Sequence, residues 1–182
     1  MDAALVVFGE FGYHGAQMDN LGAAAGTTKQ TLYDRIGGKE QVYSRVLERE
    51  AQLLSKRLRV TYESSVDLSL HDLVQVAMGA FFDFGTTRRV GLALLLGTTR
   101  GGPATHIGHD LVNDIIGFLT EVVLHRTASG SPHLTASDAR ILAAACVGAA
   151  RQVCETALEL NLDINSARDQ VSALVEAGLR SL

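Results

Sequence analysis

Gly26 separates two short helical patterns near the start of this 182-residue chain. Before it, Met18, Leu21 and Ala24–Ala25 recur at three- and four-residue intervals, which places them on one face of a helix. Glycine adopts the left-handed conformation just past a helix end at the lowest steric cost, so Gly26 predicts a helix end and a tight turn. The N-terminal part of the chain is therefore expected to fold as short helices packed around that turn.

A second short helix is predicted over Thr28–Arg35. Thr27 and Gln30 have the spacing of a capping box, which predicts Thr27 as the N-cap. Leu32 and Ile36 give this helix one narrow apolar stripe, and its remaining surface is polar. A helix of this kind fits the major groove of DNA, where base edges present patterns of donors and acceptors.

The spacing of several further motifs resembles the helix-turn-helix of TetR-family transcription regulators. The resemblance is carried by FGEFGY, LGAAAGTT, TLYDRI and GGKEQV and covers about the first 50 residues. It implies a three-helix DNA-binding domain, a palindromic double-stranded operator as partner and a small-molecule effector of unknown identity. Gln17 stands where the family usually has Thr or Ser, so we expect a poor cap on the second helix.

A set of polar side chains is expected to face the groove or the flanking phosphates. Lys39 belongs to it because it lies near a helix N-terminus, whose amides also favour anions. The predicted DNA-binding residues are Gln17, Thr27, Thr28, Lys29, Gln30, Thr31, Tyr33, Asp34 and Lys39.

Composition and periodicity predict an all-α fold of about nine helices. The chain has two prolines, and long stretches show helical spacing. We expect a helix-turn-helix domain over residues 1–45 and a helical effector-binding and dimerisation domain over residues 46–182. The net charge is −4, divided into +1 over residues 1–60 (eight basic, seven acidic) and −5 over residues 61–182 (eight basic, thirteen acidic). This asymmetry has the sign expected of a DNA-binding head on an acidic body.

The sequence also predicts a cytoplasmic location. No apolar run has both membrane-spanning length and suitable flanks, and there is no secretory signal. Cys146 and Cys154 lie eight residues apart on one predicted helix, about 12 Å, too far to form a disulfide with each other. Because the chain begins inside its first helix, we expect a further N-terminal basic stretch to be missing from it.

The last two predicted helices are expected to form a dimer interface. Ser69–Asp72 and Thr135–Asp138 have the spacing of helix N-caps in the body. The helix after Thr135 offers small residues for close packing, and the last helix has a seam of alternating four- and three-residue steps. The alternative is that these faces pack inside the monomer. The predicted interface residues are Ala145, Gly148, Ala149, Val171, Leu174 and Gly178.

An effector pocket is expected among the middle helices, where aromatic residues and isolated polar residues occur among apolar neighbours. The alternative for each residue is an ordinary core or surface position. The candidate residues are Phe81, Phe82, Phe84, His106, Asn113, Phe118, Arg151 and Glu155.

Catalytic and metal sites are not predicted. His106, His109 and Asp110 could share one helix turn as metal ligands, but the exposed face of an amphipathic helix also needs polar residues. No nucleophile elbow, carboxylate pair or phosphate loop is found, so no cofactor is expected. The sequence predicts a DNA-binding regulator, a repressor released from its operator by a small molecule. The alternatives are a small helical ligand-binding protein or enzyme and a purely structural helical dimer.

Overall fold

The computed structural model describes residues 1–97, 102–127 and 134–180, and these ranges contain nine α-helices and no strand. This confirms the all-α prediction. In chain order the helices are α1 Asp2–Gly15, α2 Met18–Ala24, α3 Lys29–Arg35, α4 Lys39–Glu63, α5 Leu70–Thr87, α6 Arg89–Leu95, α7 Thr105–Thr127, α8 Ala136–Glu159 and α9 Ile164–Arg180.

The helices form two compact units whose boundaries differ from the predicted domains. Unit 1 comprises Met1–Leu54 and Arg88–Leu111, and unit 2 comprises Ser55–Thr87 and Val112–Leu182. Helix α6 and the start of α7 therefore belong with the N-terminal helices and not with the body. A sequence pattern could not show this, because the contacts that place α6 in unit 1 join residues far apart in the chain.

Unit 1 is built around the apolar faces of α1, α2 and α4. Phe8, Leu21 and Val42 are almost fully buried, and the ring of Tyr43 meets Phe8 edge-on at 4.9 Å between centroids. Helix α6 packs against α1, where Gly9 leaves the space occupied by Val90. A Cβ on Gly9 would lie 2.4 Å from Val90 Cγ1, so this helix contact depends on the missing side chain.

Unit 2 contains a second core, formed where α5 packs on α8 and α9. Its buried residues come from α5 (Leu73, Phe82, Phe84), α8 (Ala139, Ala143, Cys154) and α9 (Val171, Val175). Predicted caps define the starts of two of these helices. Ser69 Oγ accepts from Asp72 N at 3.1 Å, and Thr135 forms a complete capping box with Asp138. Both cap predictions are confirmed.

Helix α8 corrects one expectation from the sequence. By length and composition it is apolar enough to cross a membrane, whereas the sequence analysis predicts no such run. On its inner side Ala139, Ala143 and Cys154 are buried in unit 2, and on its outer side Ile141 is 67% exposed.

Candidate nucleic-acid interface

A glycine turn fixes helix α3 against helix α2. Gly26 has φ +64°, as predicted, and its amide donates to Ala23 O at 3.1 Å. The amide of Thr27 donates to Gly22 O at 2.9 Å, which completes the pair of bonds of a Schellman motif. Gly22 is buried at this contact, and a Cβ there would lie 3.1 Å from Thr27 O and Lys29 N. The turn therefore brings the first residues of α3 onto the end of α2.

The N-cap of α3 is Thr28, and the prediction of Thr27 was wrong. Thr28 Oγ1 accepts from Thr31 N at 3.1 Å and lies 2.9 Å from Thr31 Oγ1. The reason is that the Thr27 amide already bonds back to α2, so the helix restarts one residue later. Gln30 does not complete a capping box. Its Nε2 donates to Asp34 Oδ1 at 2.9 Å, one turn further along α3.

The outer face of α3 is polar and open to solvent. Lys29 and Gln30 are exposed, Tyr33 is 45% exposed, and Thr31 is half-buried. Leu32 is the buried side chain that anchors the opposite face. Lys29 Nζ lies 3.4 Å from Asp19 Oδ2, and both side chains are exposed, so this ion pair is weak and can exchange with another anion. Helix α3 thus presents amide, hydroxyl and ammonium groups on one short surface.

Lys39 is engaged by the protein itself. Its Nζ donates to Ala16 O at 3.1 Å and to His14 O at 3.4 Å, and it lies 4.6 Å from the centroid of the Tyr13 ring. Its ammonium therefore satisfies carbonyls at the C-terminal end of α1, and its predicted role in binding phosphate remains a prediction. Burial raises the pKa of Tyr13 above its ordinary value, with a further contribution from the negative charge of Glu40.

The start of α2 agrees with the expectation of a poor cap. Gln17 is its N-cap residue, is exposed, and makes no capping hydrogen bond with its side chain among the described residues. The first amides of α2 therefore lack a side-chain acceptor in this part of the structure.

The predicted effector residues are divided between the two units. Phe82 and Phe84 are buried in unit 2, where Phe81 meets Phe82 edge-on at 5.8 Å. His106 belongs to unit 1 and is exposed, as is Asn113 in unit 2. Arg151 Nε donates to Glu155 Oε1 at 2.9 Å.

Phe118 lies in a separate aromatic contact of unit 2. Its ring meets Tyr62 edge-on at 5.1 Å, and the guanidinium of Arg59 lies 5.0 Å from its centroid. The cavity beside it, which Asp114 also lines, has a volume of about 10 Å³, no more than one water molecule.

An open groove of about 440 Å³ lies between α8 and α9, lined by residues such as Val153, Leu162 and Gln170.

The predicted dimer residues fall on two surfaces. Ala145, Gly148, Leu174 and Gly178 are exposed, and Ala149 is half-buried. Val171 is 2% exposed and belongs to the core of unit 2, because α9 turns that side chain toward α5 and α8.

An ion-pair network in unit 1 was not predicted from the sequence. Glu50 on α4 is buried and accepts two hydrogen bonds from Arg88, which immediately precedes α6. No local spacing could reveal it, because the two residues are 38 positions apart.

An exposed polar helix, capped at its start and held by a tight turn against a preceding helix, defines the class of helix-turn-helix DNA-binding proteins. Residues 1–46 match the family described as "Bacterial regulatory proteins, tetR family". The likeness to this family lies in the part of the chain that holds α1 to α3 and the start of α4.

A curated relative is similar over a longer stretch of the chain. The HTH-type transcriptional activator FasR of Mycolicibacterium smegmatis is 35% identical over 82 residues, which are 45% of this chain and 36% of that protein. The aligned part thus spans about a third of the length of that relative.

Solved structures extend the likeness to the whole fold. A TetR-like transcriptional regulator from Rhodococcus sp. RHA1 is 25% identical with a TM-score of 0.75, covering 100% of this chain and 93% of that one. The transcriptional regulator FadR of Bacillus subtilis, solved in complex with stearoyl-CoA, has a TM-score of 0.76 at 16% identity, covering 97% of this chain and 96% of that one. The second likeness concerns the fold alone.

Proposed function

We propose that this protein is a homodimeric transcription regulator that binds a palindromic operator through helix α3 and releases it when a small molecule binds. The observation that carries this proposal is the exposed polar surface of α3, fixed in place by the Gly26 turn and the Thr28 cap. A single seven-residue helix reaches few bases, so a second copy is needed to read an operator. Two copies related by a two-fold axis would read half-sites about 34–36 Å apart.

The DNA contacts are assigned by chemistry. Gln30 can pair with adenine, and Lys29 can pair with guanine or phosphate. The bond from Gln30 to Asp34 fixes the direction of the Gln30 amide before DNA arrives. Tyr33, Thr28 and Thr31 would contact the groove or its phosphates, and the uncapped first amides of α2 suit a phosphate oxygen.

The dimer is assigned to α8 and α9. Ile141, Ala145, Gly148 and Gln152 are exposed at four-, three- and four-residue steps, so they form one continuous face of α8. Leu174 on α9 is 64% exposed, an unusual exposure for a leucine unless another surface covers it. A second copy that pairs with these faces would cover the free apolar surface of α8.

Long-chain acyl-CoA thioesters are proposed as the effector class. FadR of Bacillus subtilis shares the fold and was solved with stearoyl-CoA. The packed apolar interior of unit 2 would have to open to admit the acyl chain, and cations such as Arg59 suit the phosphates of the coenzyme. The effector would stabilise a body conformation in which the two copies of α3 no longer match the operator spacing. A difference of a few kcal/mol between the two states is enough for release.

Repression is proposed as the outcome of binding, although the curated relative is an activator. A promoter–reporter assay separates the two, since deletion of a repressor raises expression and deletion of an activator lowers it. The chain is also proposed to act in the cytoplasm and to have no catalytic role. The competing function is a helical carrier or enzyme, for which a tightly bound small molecule or turnover without DNA binding would be the sign.

DNA binding is the decisive test. On a palindrome selected in vitro, Lys29→Ala and Gln30→Ala should each weaken binding about ten-fold or more, because each loses a base or phosphate contact. Lys56→Ala is the matched control, since this exposed lysine lies on α4 outside the motif. If both α3 variants bind as tightly as the wild type, the assignment of α3 as the reading helix is wrong.

The effector class has its own test. Stearoyl-CoA at about 100 times its Kd should stabilise the protein by about 2.7 kcal/mol, which thermal unfolding would show as a higher Tm. Free CoA and stearate are the controls for the two halves of the molecule. No shift with stearoyl-CoA would reject this effector class and leave the DNA-binding proposal standing.

A further inference from the structure

Glu50 is a charged side chain in an interior position. It lies on α4, is 1% exposed, and faces Arg88 at the start of α6. Arg88 Nε donates to Glu50 Oε2 at 2.6 Å, and Arg88 Nη2 donates to Oε1 at 2.5 Å. Both carboxylate oxygens are thus bound by one planar guanidinium, the geometry that holds an ion pair most rigidly.

A buried glycine leaves room for the Glu50–Arg88 pair, and further charged residues extend it. Gly91 is buried beside it, and a Cβ there would lie 2.3 Å from Glu50 Oε2, so any larger residue would displace the carboxylate. Asp2 on α1 joins the network through Arg49 at 2.6 Å and approaches Arg88 at 3.5 Å. The hydrogen bond from Arg49 lowers the pKa of Asp2, and the bonds to Glu50 raise that of Arg88. The network ties together α1, α4 and α6.

Glu50 and Arg88 both lie close to points where the chain passes from one unit to the other. The chain passes between the two units after Leu54, after Thr87 and after Leu111. Glu50 lies one helical turn before the first passage, and Arg88 is the first residue after the second. The pair therefore joins two of the three segments through which unit 2 is covalently linked to the DNA-binding helices.

We propose that the Glu50–Arg88 pair is the joint that couples unit 2 to the DNA-reading unit. This inference rests on the proposed function. When the end of α5 moves, Arg88 moves with it, and the two bonds to Glu50 pass the displacement to α4 and so to the helix-turn-helix. Both are positioning residues, since neither lies on the DNA-reading face. A buried ion pair contributes little net stability compared with an apolar pair of similar volume, which fits a role in positioning.

The coupling between DNA binding and the state of unit 2 can be measured without the effector. By linkage, if the state of unit 2 alters DNA affinity, DNA must alter the state of unit 2 by the same factor. Amide hydrogen–deuterium exchange of α5, with and without the selected palindrome, reports this. We expect DNA to change the exchange of α5 about five-fold or more in the wild type.

Two variants remove the joint in different ways. Glu50→Leu with Arg88→Met removes both charges and leaves neither one buried alone, and Arg88→Lys keeps the charge but loses the two-pronged geometry. We expect both to bind DNA within about three-fold of the wild type while the response of α5 falls below about two-fold. Arg57→Gln is the control, because it breaks the exposed 3.1 Å pair between α4 and Asp83 on α5 and should retain the response.

Several outcomes would overturn the proposal. The first is that DNA changes the hydrogen exchange of α5 as much in both variants as in the wild type. The second is that DNA does not change the exchange of α5 in the wild type. The third is that the double variant folds but has lost its DNA affinity. The last result would mean that the pair shapes the DNA-reading unit itself. Failure of the wild type to bind any selected DNA would instead refute the proposed function and this inference with it.

Discussion

Single residues act in this protein through the space they leave as well as through the groups they carry. Gly26 supplies a left-handed backbone conformation, whereas Gly108 supplies room. A Cβ on Gly108 would lie 2.0 Å from Leu95 O, a backbone atom of the α6 end that cannot rotate away. The first requirement is local and visible in the sequence. The second depends on a contact between α6 and α7 and is not.

Gly108→Ala should therefore destabilise the protein by about 1–3 kcal/mol, because the backbone at Leu95 must shift to admit the methyl group. Chemical denaturation followed by circular dichroism measures this. Gly117→Ala on the same helix is the matched control, since a Cβ there meets nothing within 4 Å. The control should leave the stability unchanged or raise it by about 0.5–1 kcal/mol. Equal stability of the two variants would contradict the steric argument.

Helices in this protein begin where short side chains bond to the first free amides. Thr135 and Asp138 satisfy each other's backbone amides at the start of α8, at 3.0 Å and 3.2 Å. The same logic places Ser69 before α5 and Thr28 before α3. Sequence reasoning found the first two caps and misplaced the third by one residue, because at α3 the preceding turn had already taken the Thr27 amide.

Acid should weaken the start of α8. The hydrogen bonds from Thr135 lower the pKa of Asp138 below its ordinary value of 3.8. A depressed carboxyl pKa gives stability that is complete above the unfolded pKa and is lost as the pH falls through the folded one. Asp138→Asn should therefore have a lower Tm than the wild type at pH 6, and the difference should shrink toward pH 3. The control is Ser137→Ala in the same turn, whose difference from the wild type should not depend on pH.

For the whole molecule, the proposed dimer interface is the exposed apolar surface of α8 and α9. Ile141 is 67% exposed and Leu174 is 64% exposed, in a helix pair that is otherwise well packed on its inner side. The prediction of a dimer from the seam of α9 agrees with this exposure, although Val171, one residue of that seam, is in the core. The sequence shows the periodicity of an apolar stripe but not which of two neighbouring stripes faces inward.

Leu174→Glu should convert the dimer into a monomer, because a charge at the centre of an apolar interface loses its hydration. Light scattering after size-exclusion chromatography should give twice the 19.4 kDa chain mass for the wild type and the single mass for the variant. Affinity for the selected palindrome should fall in parallel. Val66→Glu, at a residue 51% exposed between α4 and α5, should remain a dimer. A dimeric Leu174→Glu would place the interface elsewhere.

Local patterns in the sequence are enough to predict the all-α fold, the glycine turn, most helix ends and the exposed polar surface of α3. These features depend on interactions between residues a few positions apart, which a linear pattern records. Three features depend on tertiary packing and leave no such pattern: α6 belongs with the helices of unit 1, the Lys39 ammonium bonds to carbonyls at the end of α1, and Glu50 is buried against Arg88. Each of these depends on partners more than 20 positions away, brought together by the packing of separate helices.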